Sequence, residues 1–177
     1  MPSLFNRFAA AVFVPVMPIV AVLVMAAATP ASAQPLVQRN ISATQAMTII
    51  QAAIAECSRP GPLVTITVAV VDRAGLPRMI MAGDTASPHN WELARRKAYT
   101  ARTYRRPSLE WAERTAGDSE VAGQRMLADV VPLGGGMPIM IGDEPIGGVG
   151  VSGAMGGQPA DQACAQAAIA AIADQLQ

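Results

Sequence analysis

The chain's single histidine, His89, lies in a segment crowded with other reactive side chains. Residues 87–106 (SPHNWELARRKAYTARTYRR) also hold Trp91, both tyrosines and six of the 13 basic residues. The segment reads as a helix, with Ser87 as N-cap, Pro88 at the first helical position and Glu92 in the early turns. His89 then falls in the first turn, at the positive end of the helix dipole, which suits a neutral imidazole. A neutral imidazole beside a cationic helix face can ligate a metal or a haem iron. His89, Leu93, Arg96 or Lys97, and Thr100 follow one line of this helix. Seven residues at 1.5 Å each separate His89 from Arg96 by about 10 Å, a spacing that permits an iron at one end and an anionic group at the other. A second line (Arg95, Tyr99, Arg102, Arg106) reads as contact surface, and a third (Trp91, Ala94, Ala98, Ala101) as a core-facing stripe. The plainer reading is an amphipathic surface helix with a solvated basic face.

Other chemistries find less support. Ser152 lies in GVSGA, which is not the GxSxG elbow of a serine hydrolase. Gly134, Gly135 and Gly136 do not precede a helix. The GAMGGQPAD segment does precede one, but it lacks a phosphate-loop lysine and the GxGxxG spacing. Asp72 sits in a turn, where an aspartate usually bonds its own backbone. There is no CxxC and no zinc spacing. With 13 basic and 13 acidic residues the formal charge is zero, which argues against a general nucleic-acid binder.

The elements that must carry the central helix follow from periodicity. Residues 42–57 form a first helix, with Ser42 as N-cap and Ala46, Ile49, Ile50, Ala53 and Ile54 on one apolar face. Ser58, Pro60, Gly61 and Pro62 stop it. Residues 63–71 (LVTITVAVV) form a buried strand, the turn at 72–75 reverses it, and residues 76–82 return as an edge strand because Pro77 lacks a ladder donor. Pro107 ends the central helix. A short helix capped by Ser108 follows, then a helical stretch within 117–128. MPIMI (137–141) and PIGGVGV (145–151) form a second hairpin, and residues 130–133 add a short strand. Glycines 147, 148 and 150 inside a strand point to close approach of a backbone or a bound group. Asp161 caps a last helix over 162–176. The fold class is therefore α/β of the α+β type: an antiparallel sheet of about five strands built from two hairpin units, flanked by N-terminal, central and C-terminal helices.

Residues 1–33 read as a cleaved signal peptide. Arg7 precedes an apolar run, and Ala31-Ser32-Ala33 is a small-x-small cleavage site. A retained membrane anchor is the alternative, although Pro15 and Pro18 interrupt the run. Cleavage would leave residues 34–177 as a single domain with no further spanning segment, in the periplasm or outside the cell. Without Arg7 the balance is 12 basic against 13 acidic residues, a net charge of −1. Export would let Cys57 and Cys164 pair across a loop of about a hundred residues, for which chain entropy gives on the order of 4–5 kcal/mol. The alternative is two buried free thiols in alanine-rich helices.

Several spaced blocks of the mature chain occur in a known order. They are the VAVVD–G hairpin, the ARRKAYTA helix, the GGGMPI strand, the GGVGVSG strand and the DQACAQA helix. Together they resemble the GlcG/HbpS family of haem-binding, also termed haem-degrading, proteins over about residues 40–176. The resemblance implies an antiparallel sheet flanked by helices, assembly into a homo-oligomer, and binding of haem or a related tetrapyrrole. Some members handle iron released from haem, others bind corrinoids, and the iron ligand differs among them. His89 is the candidate on chemical grounds, as the only imidazole, with Tyr99 or Tyr104 as phenolate the runner-up. Arg96, Lys97 and Arg102 are the candidates to neutralise propionates, with Tyr99 and Thr100 beside them. No catalytic residue is assigned, and no membrane contact is expected after signal cleavage. The rival expectation is a non-haem oligomeric accessory or small-molecule-binding protein that works through protein contacts, with the arginine-rich helix as interface.

Overall fold

Ser42 opens the first helix, α1 (Ala43–Cys57), as its sequence predicts. Its Oγ accepts from the Gln45 N–H at 3.1 Å, and the Gln45 side-chain oxygen accepts from the Ser42 N–H at 3.0 Å. This reciprocal capping box satisfies two donors that a helix start leaves open. Ala46, Ile49, Ile50 and Ala53 are buried along one face. The computed structural model describes residues 34–57 and 65–177. The signal segment 1–33, the 58–62 turn and the strand positions Leu63 and Val64 lie outside the described residues. Residues Val37–Gln177 form one compact unit.

Four strands follow: β1 (Thr67–Asp72), β2 (Pro77–Ala82), β3 (Gly136–Ile141) and β4 (Glu144–Ser152). The sheet order is β2-β1-β4-β3, with every neighbouring pair antiparallel. The two hairpins therefore join through β1 and β4, and Val70 faces Met79 on one side and Val149 on the other. β2 lies at an edge, as the missing donor of Pro77 requires. The expected short strand at 130–133 does not form. Its Val130 carbonyl and Val131 N–H bond the side chains of Arg96 and Thr100 instead, and its Leu133 carbonyl bonds the Ser108 hydroxyl.

Helix α2 (Asn90–Tyr104) covers one face of the sheet. The other face holds α1 and α4 (Gln158–Ala170). Alternation along the strands divides the two layers. Val68, Val70, Val149 and Val151 join Ile49, Ile50, Cys164, Ala165 and Ala168 in one apolar cluster. Ala94, Ala98 and Ala101 are fully buried outside that cluster, on the α2 face. The strand glycines explain how closely α2 approaches. A Cβ at Gly148 would lie 2.5 Å from the Ala98 carbonyl oxygen, and one at Gly150 would overlap the Ala94 carbonyl. At Gly148 and Gly150 the close neighbour is thus the helix backbone, whereas at Gly147 it is the Val71 carbonyl and the Ile41 side chain. Cys57 and Cys164 pair as a disulfide with Cα atoms 5.9 Å apart, tying the end of α1 to α4.

Three helix boundaries differ from expectation. α2 begins at Asn90, not at Pro88, because the Asn90 N–H first bonds the Ser87 carbonyl in a preceding turn. α3 (Ser108–Arg114) contains Ser108 as its first residue, and the Ser108 hydroxyl bonds the Leu133 carbonyl and the Gly136 N–H rather than its own helix. α4 starts at Gln158, so Asp161 lies in its first turn and not at its cap. The chain then closes in a 3₁₀ turn at Ala173–Gln175, and the 117–128 region contributes only a 3₁₀ turn at Ala122–Met126.

Candidate functional site

The start of α2 is anchored from below. Asn90 is buried, and its side-chain oxygen accepts from the Ser152 hydroxyl at 3.1 Å. That bond holds the helix start against the last residue of β4. His89 immediately precedes it at the N-cap position, where its carbonyl accepts from Leu93 N–H at 3.1 Å and its side chain makes no capping bond. The imidazole is exposed. Trp91 is also exposed, at 51%, and is not part of the core stripe; only the three alanines are. The reason is position: α2 meets the sheet from Ala94 onward, and Trp91 lies outside that contact.

Farther along α2 the line that begins at His89 is covered by the chain itself. Arg96 donates to the Val130 carbonyl at 2.6 Å. Thr100 accepts from the Val131 N–H at 2.9 Å and donates to the Arg96 carbonyl at 2.8 Å. Arg95 holds the same strap from its other flank, bonding Asp129 at 2.6 Å and Glu92 at 2.8 Å. The hydrogen bond from Arg95 holds the Glu92 carboxyl below its ordinary range. Residues 129–131 therefore lie where a ligand running from His89 to Thr100 was expected.

Lys97 is withdrawn further, at 2% exposure. Its ammonium donates to Asp161 at 2.7 Å and to the Val151 carbonyl at 3.1 Å. Burial pushes the Lys97 ammonium down from its usual value, and the Asp161 carboxylate opposes that push. The other Asp161 oxygen accepts from the Ala154 N–H at 2.8 Å. Gly135 makes room for this pair: its φ is +115°, and a Cβ there would lie 2.7 Å from Asp161 Cβ and 3.1 Å from the Lys97 nitrogen. The sequence reading missed Asp161 as a partner. The two residues are 64 apart, and nothing local links them.

Tyr99 and Arg102 face a different neighbourhood, the β1–β2 turn. The Tyr99 ring lies over Gly75, where a Cβ would approach it to 2.7 Å. Arg102 lines a cleft of about 360 Å³ with Gln38, Asn40, Arg73 and Ala74, and its Nε is buried without a hydrogen-bond partner. Tyr104 stacks on Trp111 with ring centroids 4.8 Å apart, and burial raises its phenol pKa. That environment disfavours the phenolate an iron ligand requires. His89, Arg96, Lys97, Tyr99, Thr100 and Arg102 thus do not converge on one ligand. Arg102 lies thirteen residues beyond His89, about 20 Å along the helix.

Among the described residues no three His, Cys, Asp or Glu side chains gather where they could hold a metal ion. A lone exposed imidazole fits a metal that arrives with most of its coordination already supplied, as in a macrocycle. No helix among these residues is long and apolar enough to cross a membrane.

The model of a family described as haem degrading protein HbpS-like matches residues 41–170. No curated protein matches the chain. Among solved structures, a double mutant of HbpS from Streptomyces reticuli is 31% identical, with a TM-score of 0.70 over 81% of this chain and 97% of that one. PduOC in complex with haem is 27% identical, with a TM-score of 0.67 over 75% of this chain and 95% of that one. Klebsiella pneumoniae ORFY shares the fold, with a TM-score of 0.72 at 22% identity over 80% of this chain and 97% of that one.

Proposed function

Since this chain belongs to the HbpS-like family of haem degrading proteins, we propose that it binds haem or a related tetrapyrrole, with His89 as the iron ligand. The observation that carries this reading is the match to the haem complex of PduOC over nearly all of that relative's length. The donor set of this chain agrees with it. His89 is exposed, makes no capping bond and stands two residues from an exposed indole. Haem would supply an iron that accepts a protein ligand. The imidazole would provide that ligand, and Trp91 would offer apolar surface to the ring. Arg96, Lys97 and Thr100 take a supporting part: they fix the helix and the strap beneath the ligand end rather than touching propionates. Arg102 is too far along α2 to do so.

The site is shallow within one chain, so we further propose a homo-oligomer in which a second copy closes over the exposed end of α2. We also propose export, with cleavage after Ala33 and function in the periplasm or outside the cell, consistent with the Cys57–Cys164 disulfide. Titration of purified protein with haemin tests the main reading. A saturable Soret shift is expected, weakened about tenfold or more in His89→Ala, which removes the proposed iron ligand. An unchanged Soret band in the wild type refutes haem binding, and an unchanged spectrum in His89→Ala refutes the ligand assignment. Light scattering measures the assembly, and N-terminal sequencing of exported protein should begin at Gln34.

A further inference from the structure

We propose that the cleft between the N-terminal segment, the β1–β2 turn and α2 is a binding site for a small carboxylic acid, gripped by Arg102. The inference does not rest on the haem reading, and the site lies at the opposite end of α2 from His89.

The cleft has about 360 Å³ and is lined by Gln38, Asn40, Arg73, Ala74 and Arg102. Its walls are polar groups held in place by other bonds. The Asn40 side-chain oxygen accepts from the Arg73 N–H at 3.0 Å, which leaves the amide NH₂ of Asn40 as a donor. Arg73 is committed to Glu144 and to the Pro145 carbonyl. Arg39 bonds the same Glu144 at 2.6 Å. Two guanidinium groups thus share one carboxylate. The acid nearest the turn, Asp72, already accepts from the Ala74 and Leu76 N–H groups at 2.8 and 3.0 Å.

Arg102 is the group left over. Its Nε is buried with no hydrogen-bond partner. Guanidinium stays charged at any working pH, and a donor left unpaired inside the fold leaves that charge poorly compensated. Burial, then the charges of Arg73 and Arg105, disfavour the cation further, against weaker support from Asp72. An incoming anion would accept from the guanidinium where it lines the cleft and offset the crowding of like charge. A carboxylate matches the planar fork of arginine and brings one negative charge for the one uncommitted guanidinium. A phosphate dianion would bring more charge than this cleft leaves open.

The test uses the full mature protein labelled with ¹⁵N and observes the arginine Nε–Hε signals. Sodium acetate is titrated at constant ionic strength against sodium chloride, and loss of one signal in Arg102→Lys assigns that residue. A saturable shift of the Arg102 signal is expected with acetate and not with chloride. Arg102→Lys keeps the charge and the stem but lacks the fork, and the acetate dissociation constant read from the Arg73 signal, which also lines the cleft, should rise about tenfold or more. A null titration in the wild type, equal shifts with chloride, or saturation by phosphate but not by acetate would each overturn the proposal. Because the readout is at Arg102, its failure is separable from loss of a Soret shift at His89.

Discussion

The buried Lys97–Asp161 pair gives the sharpest test of how α2 is fixed to the rest of the fold. Both side chains are nearly solvent-free, at 3% and 6% exposure, with the charged atoms 2.7 Å apart. Lys97→Met keeps an unbranched stem of similar length and removes only the ammonium. Asp161 would then keep one bond, from the Ala154 N–H, while its other oxygen faces a dry interior. Removing one member of a buried pair costs about 3–5 kcal/mol, because the remaining charge is uncompensated. For a folded unit of this length each kcal/mol moves the melting midpoint by about 3 °C, so the drop should be about 10–15 °C. Lys97→Met combined with Asp161→Asn removes both charges and keeps an acceptor for Ala154. That double variant should recover much of the loss, with a coupling of about 2 kcal/mol or more in a double-mutant cycle. Calorimetry and urea unfolding of the four proteins give the numbers. A cost below about 1 kcal/mol for Lys97→Met, or a double variant no better than the sum of the singles, refutes the account of this pair as a paired buried charge.

Three further outcomes follow from other contacts. Replacing Cys57 and Cys164 by serine opens a crosslink spanning 107 residues, and urea midpoints should report a loss of about 4–5 kcal/mol, reproduced in the wild type by reductant. Glu144 is held below its ordinary pKa by the hydrogen bond from Arg39 and then by Arg73. A lowered folded pKa gives stability that is present above the unfolded value of about 4.3 and lost as pH falls through the folded one. The acid limb of a stability–pH curve should therefore be shallower in Glu144→Gln, and parallel limbs would contradict this. Gly148→Ala should cost about 1–3 kcal/mol through overpacking, since its Cβ would meet the Ala98 carbonyl at 2.5 Å, whereas Gly123 has nothing within 4 Å and Gly123→Ala should fall within about 0.5 kcal/mol of wild type.

The elements were legible wherever a local rule governed them. The Ser42 cap, the apolar face of α1, the two hairpins and the edge position of β2 follow from capping chemistry, periodicity and one proline. The glycines of β4 announced a close neighbour, although not which one. The boundaries at Ser87, Ser108 and Asp161 were misread for a common reason. Each residue has the chemistry of a cap, but Ser108 and Asp161 use theirs on distant segments, and Ser87 supplies a carbonyl to a turn instead. Trp91 was assigned to the core by spacing alone, and spacing cannot say where along a helix the sheet begins.

Of the proposed site, only the lone imidazole could be picked out from the residues alone. The sequence by itself determined the α+β class, the family and the isolation of His89 as the one imidazole, because these depend on residue order and inventory. The tertiary structure alone decided that Lys97 serves Asp161, that the 129–131 strap occupies the line between Arg96 and Thr100, and that Arg102 opens on a separate cleft. Those facts depend on which distant segment reaches a charged group first. A buried cation takes whatever acceptor folding brings within hydrogen-bond range, and no helical spacing encodes that partner.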